Sequence, residues 1–185
     1  MKRNNLLKWV LLGVVAILLI WVWRSYNGLV DSQLTVEESY AQVQTDYQRR
    51  ADLIPNLVKT VKAAAKNEKE ILENVTAARA GIQNAKSPAQ LDAAGAQINR
   101  AINIVMEAYP QIRSTENFGK LQDQLEGTEN RIKESRKDYN RAVKTYNSST
   151  KKFPGNIIAS WFNFEPKEFF EASAGSEKAP ELNFE

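Results

Sequence analysis

The chain contains no cysteine and no histidine among its 185 residues. The first absence excludes disulfides and thiolate chemistry. It leaves the compartment open, because an oxidising compartment permits disulfides without requiring them. The second absence removes the commonest general base at neutral pH and the commonest metal ligand. Together they exclude Ser-His-Asp and Cys-His nucleophilic arrangements and zinc sites built from Cys and His. A carboxylate-only magnesium or calcium site, or a carboxylate pair for glycoside hydrolysis, stays formally open. The eight glycines are scattered and form no phosphate loop. No cofactor and no metal are expected.

A cationic domain surface is missing as well. The formal net charge is +3, but Lys2, Arg3, Lys8 and Arg24 all lie in the first 24 residues, which hold no acid. Residues 25–185 carry the other 21 basic residues against all 22 acidic ones, a net of −1. The basicity belongs to the N-terminal segment, and nucleic acid is not an expected partner. The remaining composition, 43% hydrophobic and 25% charged, is that of a globular domain with an appendage.

The appendage is apolar. No polar side chain interrupts Trp9 to Trp23, about 22 Å of helix at ~1.5 Å per residue. Extending back to Leu6 brings the run close to what a bilayer core requires, with Lys8 able to snorkel to the headgroups. Trp9, Trp21, Trp23 and Tyr26 sit at its two ends, where amphipathic rings favour the interface. A cleaved signal peptide shares the charged start and apolar middle. The stretch "IWVWRSYNG" offers no small-x-small cleavage site, so an uncleaved anchor over residues 6–25 is expected, after a cytoplasmic tail of residues 1–5. Basic residues concentrate before the span, while Asp31, Glu37 and Glu38 follow it. The positive-inside rule therefore places the N-terminus in the cytoplasm and the domain outside.

From residue 28 to about 150 the period is helical. A first segment, Thr35 to Arg50, carries Val36, Tyr40, Val43 and Tyr47. The stripe continues through Ile54, Leu57, Val61 and onward to Ala78, and strict heptads put Arg50 and Glu68 on its seam. A lone buried charge is costly, so the stripe must bend or the charges must find partners. Pro55 favours a bend, because it lacks an N–H and its ring clashes with the carbonyl of Ala51. An elbow over residues 51–54 is expected, with Asp52 helping to cap a second helix from 55 to about 83. A continuous kinked helix is the alternative. Ser87 and Pro88 read as the cap and first residue of a third helix, ending at Tyr109 and Pro110. A fourth begins near Thr115, carries Phe118, Leu121, Leu125, Ile132, Tyr139 and Tyr146 in coiled-coil-like heptads, and ends before "FPGN". Lys66, Glu68, Lys69, Glu70 and Glu73 read as a solvated face. The expected fold is all-α, an N-terminal transmembrane helix followed by an antiparallel four-helix bundle. The tail, residues 151–185, holds Trp161, Phe162, Phe164, Phe169 and Phe170. It is expected to be a short helix and strap over the bundle, or an apolar interface for a partner, another copy or the membrane face. Residues 172–183 are expected to be mobile.

The stretches "YNGLV", "RRADLIPNLVKTVK", "YP", "NFGKLQDQLEGTENRIKESRKDYNRAVKTYN" and "FPGNIIASWFNFEPKEFFEA" resemble, in order, the LemA family of bacterial membrane proteins. The stretch "VKAAAKNEKE" departs from the glycine-aromatic pair associated with that family. The resemblance implies an N-terminal anchor and an antiparallel four-helix bundle. It lends no enzymatic activity, and suggests envelope organisation or stress roles through contacts with other envelope proteins. The location implied is the bacterial cytoplasmic (inner) membrane, single pass, with the bundle periplasmic.

The candidate structural or partner-binding residues are Arg49, Arg50, Asp52, Pro55, Asn56, Glu129, Asn130, Arg136, Tyr139 and Asn140. Arg49 or Arg50 meeting Glu129 would explain charges inside apolar stripes, since arginine–carboxylate pairs are bidentate and orienting. A partner-binding patch is the other reading. No nucleophile, histidine or metal cluster accompanies these residues, so no catalytic role is assigned. The leading expectation is a non-enzymatic envelope scaffold or interaction module, binding membrane lipid through its anchor and envelope proteins or its own copies through the bundle. A ligand-sensing helical bundle is the alternative, and a carboxylate-dependent hydrolase a weaker one.

Overall fold

A single helix, α1 (Lys2–Thr60), carries both the apolar N-terminal run and the first core stripe. Its 59 residues correspond to about 88 Å at ~1.5 Å per residue. It is followed by α2 (Glu68–Asn84), α3 (Pro88–Ala108), α4 (Glu116–Lys151) and the short α5 (Gly155–Trp161). The computed structural model describes the backbone of residues 2–60, 68–108 and 116–171, and the side chains of residues 7–56, 73–107 and 119–171. The chain is all-α, with no strand among the described residues. Several expectations lie outside what is described: the side chains of Lys66 to Glu70 on the expected seam and solvated face, the helix end at Tyr109–Pro110, and mobility beyond residue 171.

The elbow expected at 51–54 is absent. α1 runs through Pro55 to Thr60, and the next helix starts at Glu68 rather than at Pro55. An interior proline costs a helix about 3 kcal/mol through a lost hydrogen bond and a ring clash. Here Ala51 and Ile54 are fully buried on the preceding turn. Keeping them in the core requires the stripe to hold its helical register, and burial outweighs the local penalty. Asp52 therefore caps no helix; it projects from mid-helix, where its carboxylate accepts from Gln48 Nε2 at 3.0 Å and pairs with Arg79 of α2.

The start of α3 follows its local chemistry. The Gln90 N–H donates to Ser87 Oγ at 3.4 Å, and Gln90 Oε1 reaches back to the Lys86 N–H at 2.8 Å. This satisfies amides that a helix start leaves open. One stripe per helix meets in the core: Val36, Val43, Tyr47 and Ile54 from α1, Val75 and Ile82 from α2, Leu91, Ile98 and Val105 from α3, and Leu121, Ile132, Val143 and Tyr146 from α4. α1 packs most extensively on α4, and α2 on α3. Small residues set the closest approaches. A Cβ on Gly81 would lie 3.2 Å from that of Ala94, and one on Gly95 would run into the Tyr47 ring.

A second, smaller cluster forms where α5 lies on α1. Leu29, Ile158 and Ala159 are buried together, with Trp21, Val22, Tyr26 and Phe164 packed against them. N-terminal to this cluster α1 is bare. An 18-residue window of it has mean hydropathy 2.0 and no burial, long and apolar enough to cross a bilayer.

Candidate functional site

The charged residues inside the stripes are partnered. Arg50 Nη1 reaches Glu129 Oε2 across the α1–α4 interface and also donates to the Leu125 carbonyl at 3.5 Å. Arg49, one residue earlier, is exposed on the opposite side of the stripe and makes no ion pair with a described residue. Pro55 is half-buried and Asn56 exposed; Asn130 is exposed beside Glu129.

Arg136 does not join Glu129. Its guanidinium meets Asp92 of α3, with Nη1 3.0 Å from Oδ1 and Nη2 3.1 Å from Oδ2. Tyr47 of α1 closes this junction: its hydroxyl donates to Asp92 Oδ1 at 2.9 Å and accepts from Arg136 Nη1 at 3.4 Å. Burial, reinforced by the Asp92 charge and opposed by Arg136, holds the Tyr47 hydroxyl well above its ordinary value of 10.0. It serves as a hydrogen-bonding group, not a base. Three helices are thus tied through one bidentate pair and one phenol.

The same arginine begins a second arrangement. Arg136 Nη2 donates to the Glu171 carbonyl at 2.8 Å, and the guanidinium lies 4.9 Å from the centre of the Phe170 ring. The chain reaches this place through a turn after α5. Asn163 takes a left-handed conformation (φ 56°), and the Phe164 N–H closes back on Ala159 O at 2.9 Å, a Schellman-type helix end. The extended segment 164–171 then runs along α4. Asn147 Nδ2 donates to Lys167 O at 2.8 Å while its Oδ1 accepts from Lys167 N at 2.9 Å. Asn140 does the same to Phe170, at 3.0 and 2.9 Å. Tyr139 donates to Glu168 O at 2.9 Å, and burial followed by the neighbouring Tyr40 and Glu168 pushes its hydroxyl up to about 12. Phe170 is buried against Tyr40 and Tyr139, at ring separations of 6.4 and 5.1 Å.

The aromatic tail residues therefore divide. Phe164 and Phe170 pack inward. Trp161 (67% exposed), Phe162 (49%) and Phe169 point outward, and Phe153 in the α4–α5 turn is 80% exposed. Phe162 nonetheless touches α1, its ring 4.8 Å from that of Tyr26. Phe162, and with it α5, therefore sits at the level where the bare part of α1 ends, whereas Phe169 lies farther along, beside the Asn140-bound Phe170.

Carboxylates also gather in a groove of about 510 Å³ between α1 and α4, lined by Glu38, Asp46, Glu134 and Asp138 with Arg131. Asp46 accepts from Gln42, Glu134 pairs with Lys137, and Asp138 pairs with Arg141. Among the described residues no acidic group is arranged to hold a metal ion.

Comparison with known proteins decides the kinship. The model of the LemA family matches residues 39–184. The chain belongs to the LemA family. Magnetosome proteins MamQ 2 and MamQ 1 of Paramagnetospirillum magneticum are each 27% identical to it over 189 residues, covering 86% of this chain and 69% of theirs. Protein LemA of Metamycoplasma hominis is 22% identical over 158 residues, covering 83% of this chain and 72% of its own. The LemA match contains the Tyr47–Asp92–Arg136 junction and the segment bound by Asn140 and Asn147. The bare part of α1 precedes it.

Of the partners in this site, Asp92 escaped the sequence and Asn147 showed only through a repeat. Asp92 sits in "QLDAAG", where nothing local distinguishes it from a surface carboxylate. Asn147 did leave a trace: Tyr139-Asn140 and Tyr146-Asn147 recur at seven residues, placing both amides on one face of α4.

Proposed function

We propose that this LemA-family chain is a single-pass protein of the bacterial cytoplasmic membrane, N-terminus inside, whose periplasmic domain is a non-enzymatic scaffold binding envelope proteins or further copies of itself. In this reading residues 6–25 are the anchor, 28–150 an antiparallel four-helix bundle, and 151–185 its aromatic strap and tail. The contact order supports the antiparallel arrangement: along α1, Arg50, Tyr47 and Tyr40 meet Glu129, Arg136 and Tyr139 of α4 in reverse sequence.

The observation that carries the scaffold reading is the exposed aromatic group on and around α5, held rigidly against α1 by Leu29 and Ile158. Large apolar side chains clustered on a fixed surface mark contact sites. The polar residues singled out in the interior favour the same reading, since Arg50, Arg136, Tyr47 and Tyr139 are all engaged within the fold. The relatives' name, magnetosome protein, fits a role at a membrane-bounded structure.

The test is the size and company of the full-length chain, crosslinked in its native membrane and gently solubilised. A homomeric assembly or one recurrent envelope partner is expected, reduced when Trp161 and Phe162 are both replaced by serine. A partner-free monomer, or an enzyme turning over a defined substrate, would overturn it.

A further inference from the structure

Beside the exit of the bare helix lies a groove of about 760 Å³ between α1 and the end of α4. Ser25, Gly28 and Leu29 form one wall, the α4 face from Arg141 to Lys152 the other, and the Phe153–Gly155 turn the floor. No carboxylate lines it. Arg141 is held by Asp138 at 2.9 Å, but Lys144 and Lys152 make no ion pair with any described residue. This is a cationic recess on a domain whose net charge is −1.

Its height is fixed by the backbone. Ser25 is two residues past Trp23, so the groove opens about 3 Å along the helix axis from the last tryptophan of the apolar run, at ~1.5 Å per residue. Tryptophans mark the headgroup level of a bilayer. Lysines near a helix C-terminus also answer its macrodipole, which accounts for Lys151 and Lys152. It does not account for Lys144, two turns earlier, or for a recess with hydroxyls on both walls. Phe153, 80% exposed on the turn that closes the groove, has the place and chemistry of an anchor among acyl chains.

We propose that this groove binds the phosphate group of an anionic phospholipid in the leaflet facing the domain. Lys144 and Lys152 supply charge, Ser25 and Ser148 supply hydroxyl donors, and Phe153 rests beside the acyl chains. The proposal rests on the reading of α1 as a membrane anchor. Its volume lies in the range of small-ligand sites, ample for a glycerophosphate headgroup. A basic residue near an anionic membrane surface strengthens association about fivefold, and two together by roughly thirtyfold.

The experiment uses the full chain in neutral detergent, with retained lipid counted by native mass spectrometry after addition of phosphatidylglycerol or phosphatidylcholine. Phosphatidylglycerol is expected to be retained preferentially. The Lys144→Glu, Lys152→Glu double variant should lose at least roughly thirtyfold of that preference, while Lys144→Arg, Lys152→Arg and the distant Lys133→Glu keep it. Equal retention of the two lipids, or a preference indifferent to the charge reversal, would overturn the site. Should the glutamate variant lose helicity, the Lys144→Gln, Lys152→Gln variant decides the same question. Inorganic phosphate is expected not to displace the lipid; displacement at millimolar concentration would assign the groove to free phosphate and end the lipid proposal. Alkaline extraction of membranes separates the two readings. Release of the chain would sink the anchor itself, whereas a retained chain without lipid preference sinks only the groove.

Discussion

Asn140 and Asn147, two turns apart on α4, each hold one residue of the C-terminal segment by both its N–H and its carbonyl, Phe170 and Lys167 respectively. Each carboxamide acts as one rung of a sheet would, offering a donor and an acceptor to an extended backbone. The segment is thus fastened through its main chain, and Phe170 alone of its terminal aromatics is buried.

Replacing either asparagine by alanine should strip two hydrogen bonds and leave part-buried backbone groups unpaired, costing about 1–3 kcal/mol. Amide hydrogen exchange is the sharper readout. Asn140→Ala should raise exchange at Phe170, and Asn147→Ala at Lys167, with the α1–α4 core unchanged. Aspartate in place of asparagine keeps the acceptor and loses the donor, so an intermediate effect is expected.

Arg50 is 12% exposed in its side chain and Glu129 39%. A fully buried pair broken on one side costs about 3–5 kcal/mol, an exposed one under about 1. Arg50→Ala should fall between, at roughly 2 kcal/mol, and should cost more than Glu129→Gln, which keeps a hydrogen-bond acceptor. Chemical denaturation of the single and double variants measures it; a coupling energy near zero would remove this pair from the account of the stripe.

Two helical glycines should answer alanine with opposite signs. Gly127 is exposed, with nothing within 4 Å of an added Cβ, so Gly127→Ala should stabilise by about 0.5–1 kcal/mol through helix propensity. Gly95 faces the Tyr47 ring, which Asp92 and Arg136 hold in place. Gly95→Ala should destabilise by about 1–3 kcal/mol as an overpacked contact. The difference in melting temperature between the two variants tests how firmly the junction is fixed.

The tyrosines set an alkaline limit. Tyr139 ionises at about 12 when folded against 10.0 when free, chiefly because burial disfavours the phenolate, with Tyr40 and Glu168 adding to it. A folded value raised above the unfolded one means that the native state holds its proton longer. The stability from Tyr139 is present in full below pH 10 and lost as pH rises towards 12. Tyr47 shifts the same way. Stability followed by circular dichroism should decline through this window, and Tyr139→Phe should flatten the decline, since phenylalanine has no proton to lose.

Helices were legible because their signals are local: the period of Val36, Tyr40, Val43 and Tyr47, the Ser87-Pro88 start, and the uninterrupted apolar run. Pro55 misled because its cost is also local, while the gain that overrides it lies in Ala51 and Ile54 packing against other helices. Asp92 was hidden for a related reason. A carboxylate pairs with whichever arginine the fold delivers, 44 residues away here, and no spacing encodes that. The split of the tail aromatics depended on the turn at Asn163, since one residue more or less would exchange the inward and outward rings of an extended segment.

The undivided course of α1 has a mechanical corollary. Held in a bilayer, it is a lever with no slack at the point where linker would ordinarily absorb motion. Asn56 stands 33 residues beyond Trp23, about 50 Å along the axis at ~1.5 Å per residue. A tilt of the embedded end by about 20° would swing that far end roughly 17 Å sideways, and a turn about the axis would sweep every surface of the domain through the same angle. Changes in membrane thickness or in lateral neighbours would thus be read out as displacement of the domain's distal end.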